Sequence, residues 1–485
     1  MASSFLVAVV VILAFIYSLQ LIITHARRRR RLPPGPWPLP VIGSFYAVAW
    51  SRAHRSLARL AERYGDGGII TIWVGRFPTV VVSTPDAARE VLLRRDADPA
   101  GRTVLDTWRT GGHAASSVIF LPPRGKWRAL RRFATAELFS PRRLEARRPL
   151  RQEKARELVR HVSERAGRGE PVDVGDATFD AAMDMLSRTL FSVDLDTKEL
   201  RCVMKEASLL TAGPTVSDLF PAVAADLQGA RRRMGVLLRS VHGMIDEQFM
   251  RRRHCREADM EHEWEEEEGS HMNYDTVKTL FTDFFFAATE TSSSAIEWAM
   301  AELLRCPEAM EKVREELRTV LGTRTEMEES DIAQLPYLQA VVKETLRLHP
   351  PISLSFYRAM AAVQVGGYTI PKGTNVILNI WAIHRKADTW AEPDKFMPER
   401  FIGSDTSFWG KHMELIPFGA GRRICLGLPL AHRMVHLMLG SLLHHFDWTL
   451  PTEVKENGVD TTEKFGLVVS MATPLKAIAN KRCDG

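Results

Sequence analysis

The stretch Pro417-Phe418-Gly419-Ala420-Gly421-Arg422-Arg423-Ile424-Cys425-Leu426-Gly427 is where the fold is read from the chain. Glycines 419, 421 and 427 let the backbone turn tightly and approach a flat partner closely. An apolar run, Leu428 to Phe446, follows at once and predicts a helix, with Pro429 suited to its first turn. Cys425 then sits at a helix N-terminus, where backbone N–H groups and the helix dipole favour a thiolate. Phe418 and Arg423 set an apolar plate and a fixed positive charge beside the sulfur. A lone cysteine is more often a buried structural residue, and from these residues taken singly that reading is the better one.

Upstream, the chain is read as mainly α with a small β region. Phe5–Ile23 is nearly unbroken apolar sequence, about 28 Å long as a helix, and Arg27–Arg31 follow it. A signal peptide carries its charge before the apolar run, so the expected element is an uncleaved anchor with the downstream chain in the cytosol. Prolines at 33, 34, 36, 38 and 40 make a stiff spacer. The expected organisation is therefore a membrane anchor over 1–26, a basic and Pro-rich linker over 27–40, and one catalytic domain over 41–485. Five cysteines, at 202, 255, 306, 425 and 483, show no metal or disulfide spacing, which places that domain in a reducing compartment. A net charge of +6 is modest and partly local, so no nucleic-acid partner is expected.

Within the domain, Ile69–Val74 with Thr79–Ser83 reads as a hairpin, and Val363–Ile370 and Val376–Asn379 read as strands. Arg142–Arg168 predicts a basic helix with a solvated face. Val223–Arg253 predicts a long amphipathic helix with Leu227, Met234, Leu238, Val241, Ile245 and Phe249 on one side. Residues 254–272, with Glu265–Glu268, read as a loop. Tyr274–Arg305 lacks Gly and Pro and predicts a helix that crosses the domain. Its centre breaks an aromatic run with Glu290, Thr291 and three serines. One reading has the hydroxyls bonded back to preceding carbonyls; the other has Glu290 and Thr291 as an acid–alcohol pair that moves protons. Two more local pairs share helix faces: Trp127 with Arg131, and Glu344 with Arg347.

Phe418-x-x-Gly421-x-Arg423-x-Cys425-x-Gly427 resembles the haem-binding signature of the cytochrome P-450 superfamily. Ala288 to Ser292 resembles that family's oxygen-activating motif, with Ala288 in place of a glycine and Ser292 in place of a second threonine. Glu344-x-x-Arg347 before Leu-His-Pro-Pro, and Arg400 in Pro-Glu-Arg-Phe, complete the likeness. The resemblance implies the cytochrome P-450 fold with an N-terminal transmembrane anchor helix, and haem b as cofactor with Cys425 as axial thiolate. It assigns Trp127, Arg131, Arg358 and Arg423 to the haem propionates, with Phe418 beside the cofactor. Glu290 and Thr291 become proton donors for dioxygen activation, and Glu344, Arg347 and Arg400 a structural lock. It further implies single-pass anchorage in the endoplasmic reticulum and electrons from NADPH through NADPH–cytochrome reductase. The helix carrying Lys126, Arg128 and Arg132 would dock that partner.

Ile296–Leu304, Gly427–Ala431 and His445–Trp448 look like family 76 of the plant enzymes, which includes geraniol and diterpenoid hydroxylases. The expected substrate is thus a small apolar mono- or diterpenoid. It would meet segments within Arg102–Phe120 and Phe465–Val469, with Phe284, Phe285, Ala288, Ser353 and Ser355. Related plant enzymes carry a short helix within 254–272, for which this chain is too short. Two other readings keep the cysteine loop: a haem-thiolate isomerase or dehydratase, and a non-catalytic membrane haem protein. NADPH- and reductase-dependent oxygen consumption separates them.

Overall fold

A helix of 32 residues, Tyr274–Arg305, forms the axis of the fold in the computed structural model, which describes residues 32–482 except 76, 94–100, 194, 196, 212, 214, 220–225 and 258–272. Asn273 opens this helix by accepting the Thr276 N–H at 3.0 Å on its side-chain oxygen. The helix stops at Cys306 because Pro307 disfavours helical backbone in the residue before it. It packs on the helices Val174–Phe191 and Leu428–His445, so that most of its length is buried on every side. Near its C-terminal end Trp298 lies flat on His349, ring centroids 3.9 Å apart, while His349 Nε2 meets Glu302 Oε1 at 2.8 Å. These contacts pin it to the end of the helix Pro336–Leu348.

The β part divides its side chains between two cores, as period-2 alternation requires. Strands Ile69–Val74 and Phe77–Val82 pair antiparallel, and the second pairs parallel with Asn375–Asn379, which in turn takes Leu354–Arg358 antiparallel. Ile69, Trp73, Val80 and Val82 face a cluster with Val363, Val365 and Ile370. Ile70, Ile72, Val81 and Ile377 face Ala53, Leu57 and Ala61 of the helix Ala53–Tyr64. With both faces covered, Ile69–Val74 and Phe77–Val82 are mostly apolar. A second sheet joins Val172–Asp173, Lys476–Lys481 and Phe446–Thr449.

Several expectations need correcting. Val363–Ile370 is a hairpin, not one strand: Gly366 and Gly367, at φ 54° and 81°, form a two-residue turn between Val363–Val365 and Tyr368–Ile370. The long amphipathic helix begins at Ala230 rather than Val223. Gly229 takes φ 65° and the Asp226 carboxylate receives the N–H groups of Arg231 and Arg232, so the first turn starts there. Leu227 is consequently exposed and lies off the apolar stripe. The basic segment 142–168 is two helices, Pro141–Ala146 and Arg148–Gly167, and its charge is not all solvated. Arg151 is fully buried and holds Glu329, Nη2 to Oε2 at 2.8 Å. The expected anchor at 5–23, the arginines 27–31 and most of the acidic loop lie outside the described residues. Among the described residues no helix is long and apolar enough to cross a membrane.

Candidate active site

The cysteine loop closes on itself: the Cys425 N–H donates to the Phe418 carbonyl at 3.0 Å, and Gly427 caps the helix Leu428–His445. Arg423 and Leu428 on either side are buried, yet the Cys425 thiol presents free surface. Burial nevertheless pushes that thiol above its ordinary range, while N–H groups of Gly427 and Leu428 and the Arg131 guanidinium pull it down. Exposure and desolvation together describe a sulfur facing an internal cavity. The helix N-terminus and Arg131 favour the thiolate, as expected, without by themselves making it, because burial opposes them. A coordinated metal would, since a bound thiol is deprotonated outright.

Four cationic or donor groups were expected around this cavity, and the structure separates them. Trp127 is buried and its indole N–H donates to the Val118 carbonyl at 3.0 Å. The Arg423 guanidinium reaches carbonyls of Val118, Ile119 and Leu121. Both are engaged by one loop, and Trp127 lies between Arg131 and Arg423, at 5.1 and 4.8 Å from its ring centre. Arg131 spends one N–H on the Ile424 carbonyl and keeps the rest. Arg358, exposed at the end of its strand, makes no side-chain hydrogen bond or ion pair among the described residues. Of these four groups, Arg131 and Arg358 keep the most unengaged donors among the described residues. Phe418 is half-buried and packs against Phe408, centroids 5.3 Å apart. On the helix Gly125–Phe133, Lys126 is tied to Ser116, leaving Arg128 and Arg132 exposed.

On the axial helix one interruption stands out. Residues 281–286 and 292–303 are buried, but Ala287 is exposed and Ala288, Glu290 and Thr291 are only half-buried. Ala287 and Thr291 are four apart, so this opening is a single stripe. The Thr291 hydroxyl donates back to the Ala287 carbonyl at 2.6 Å. Glu290 points elsewhere: its carboxylate accepts from Ser208 at 3.4 Å, so no acid–alcohol hydrogen bond joins the two. Burial pushes Glu290 from 4.5 to about 7, against the opposing pull of the Ser208 hydroxyl, Lys205 and Lys464. Because the folded chain then holds a proton that the unfolded chain has released, this group subtracts stability as pH rises from about 4.5 to about 7.

Glu344, Arg347 and Arg400 come together as a buried triad. Arg347 grips Glu344 through two bonds, of 2.7 and 2.9 Å, and Arg400 Nε adds a third at 3.0 Å. Of the substrate-facing candidates, Phe284 and Phe285 are in the core, against Phe139 and Phe191, and do not join Ala287 at the opening. Ser355 is taken by Arg102 at 3.1 Å, whereas the buried Ser353 hydroxyl has no partner. Val468 and Val469 are buried and Leu467 is partly exposed. One polar residue was missed from sequence altogether. Asp283, buried one turn before Ala287, binds His113, Ser117 and the Val118 N–H.

A thiol facing an internal cavity, two guanidiniums with donors to spare and an uncharged helical stripe fit a flat, dianionic iron porphyrin with one protein ligand. The family model for cytochrome P-450 matches residues 33–477. Geranylhydroquinone 3″-hydroxylase of Arnebia euchroma, named within family 76, is 38% identical over 96% of this chain and 98% of its own length. Geraniol 8-hydroxylase of Swertia mussotii is 39% identical, covering 94% of each chain. 7-Ethoxycoumarin O-deethylase of Helianthus tuberosus is 40% identical, covering 92% of this chain and 93% of its own. The chain belongs to the cytochrome P-450 family, among the haem monooxygenases that resemble its plant family 76.

Proposed function

We propose that this protein hydroxylates a small apolar terpenoid, with Cys425 as the ligand of a haem and electrons drawn from NADPH through a reductase. The observation that carries this reading is a pair of openings, one at Ala287–Thr291 in a helix buried on either side of it and one at Cys425 between the buried Arg423 and Leu428. Haem held by a thiolate supplies the activation of dioxygen and transfer of one oxygen atom to a C–H bond. Arg131 and Arg358 would bind its two carboxylates. Thr291, once its hydroxyl leaves the Ala287 carbonyl, can pass a proton into the cavity. Glu290, poised near neutrality, can supply it, and Ser208, Lys205 and Lys464 link Glu290 toward solvent. Glu344, Arg347 and Arg400 hold the frame.

The stripe presented by Ala287 and Ala288 carries no charge. Hydrocarbon gains affinity there at about 25 cal/mol per Å² buried, whereas a phosphate or carboxylate would lose its hydration without compensation. Monoterpenoids and diterpenoids are the expected class, consistent with the hydroxylases of geraniol and geranylhydroquinone among the relatives. A panel of terpenoids, phenylpropanoids and fatty acids should give spectral binding shifts and NADPH-dependent products mainly with terpenoids. Turnover of fatty acids or phenolics alone would overturn that assignment.

The domain is read as held on the endoplasmic reticulum by residues 1–26, with 27–40 as linker. Trp37, Leu39, Val41, Ile42 and Tyr46 support this, because five exposed large apolar side chains directly follow the basic run. Protease added to intact microsomes should digest the domain; full protection would reverse the orientation.

A further inference from the structure

We infer that Asp283 is a positioning residue that sets the gap between the axial helix and the Cys425 loop, acting through the peptide of Val118. Asp283 is almost fully buried and in mid-helix. Oδ1 accepts from Ser117 at 2.9 Å and faces His113 Nε2 at 3.0 Å. Oδ2 accepts from Ser117 and from the Val118 N–H, both at 2.8 Å. A carboxyl group buried this deeply is costly unless its polar atoms are paired, so the segment carrying its partners is held firmly. The opposite edge of that segment is held as well. The Val118 carbonyl accepts from the Trp127 indole at 3.0 Å and from Arg423 at 3.3 Å. Val118 thus joins three elements: its N–H to the axial helix, its carbonyl to the helix Gly125–Phe133 and to the cysteine loop. Trp108, edge-on to Phe286 with centroids 5.1 Å apart and 5.5 Å from Phe120, links that segment to the axial helix three residues after Asp283.

Asp283 lies four residues before the exposed Ala287, and Arg423 lies two residues before Cys425. A shift at the Val118 peptide therefore moves the axial helix and the cysteine loop relative to each other. Asp283 reaches no reacting atom; it acts through Val118, Trp127 and Arg423. The inference draws on the haem reading only for the second of its two readouts.

The test uses the full haem-loaded chain. Asp283→Ala should raise hydrogen exchange of segment 113–121 at least tenfold while leaving the Ile69–Val82 hairpin unchanged, and Asp283→Asn, which keeps an acceptor for Val118, should restore much of the protection. In parallel, the ratio of 4-phenylimidazole to imidazole affinity, read by Soret titration, should change about fivefold or more in Asp283→Ala, because the bulkier azole reports cavity height. If Asp283→Ala does not fold, Ser117→Ala removes the hydroxyl shared by both Asp283 oxygens and should raise exchange in 113–121 severalfold. Exchange that is unchanged there, or raised uniformly across the domain, overturns the inference. Failure of every terpenoid to turn over would contradict the proposed substrate class yet leave both readouts intact.

Discussion

Replacing Glu344 by alanine should lower folding stability by about 3–5 kcal/mol, the cost of stranding a buried charge. Glu344 and Arg347 are both fully buried, and Arg400 approaches the same carboxylate. The carboxylate also receives the Met397 N–H at 2.9 Å. Removing it leaves two guanidiniums and an amide facing one another with no anion between them. Arg347 would keep carbonyl acceptors from His384 and Pro393, which can neutralise none of its charge. Domains are stable by only about 5–15 kcal/mol, so the loss should appear as a large drop in urea midpoint and in haem retention. Glu344→Gln, which preserves shape and some hydrogen bonds, should fall between. A midpoint unchanged in Glu344→Ala would show that the triad does not hold the frame.

Thr291→Ala should keep terpenoid binding and lose product. Proton transfer by a placed group is commonly worth about a hundredfold or more, so product per NADPH should fall at least about tenfold, with the electrons appearing as hydrogen peroxide. In the ligand-free chain the Thr291 hydroxyl is satisfied by Ala287, an easily broken local bond, and the methyl of alanine fits the same space. Glu290 gives this prediction a pH signature. Its carboxyl sits near 7, mainly through burial, so its proton is available below that value and lost above it. Coupling should decline as pH rises through about 7, and Glu290→Gln should abolish that dependence. Unchanged coupling in Thr291→Ala would remove both residues from proton delivery.

What could be read from sequence was what is local. The cysteine loop, the bounds of the axial helix and the Glu344–Arg347 pair are all written within one or two helical turns, so spacing alone places them. Arg400 joined them only through the family resemblance, being more than fifty residues away. Contacts between distant elements left no such trace. Asp283 meets Ser117 across 166 residues and Arg151 meets Glu329 across 178, and no periodicity encodes either. Asp283 did leave one signal: an acid ahead of three consecutive phenylalanines in a helix buried nearly all round. The same all-round burial explains why Phe284 and Phe285 were misplaced, since hydropathy cannot tell a core-facing aromatic from a cavity-facing one. The Gly366-Gly367 turn was legible and was missed, because two β-branched runs were read through as one strand.

The proposed function rests on Cys425 as the ligand of the iron. Carbon monoxide added to the reduced, haem-loaded protein tests that most directly, because a thiolate opposite the gas shifts the Soret band far to the red. The wild-type chain should show that red-shifted band, and Cys425→Ala should lose it. A red-shifted band that survives in Cys425→Ala would contradict the account.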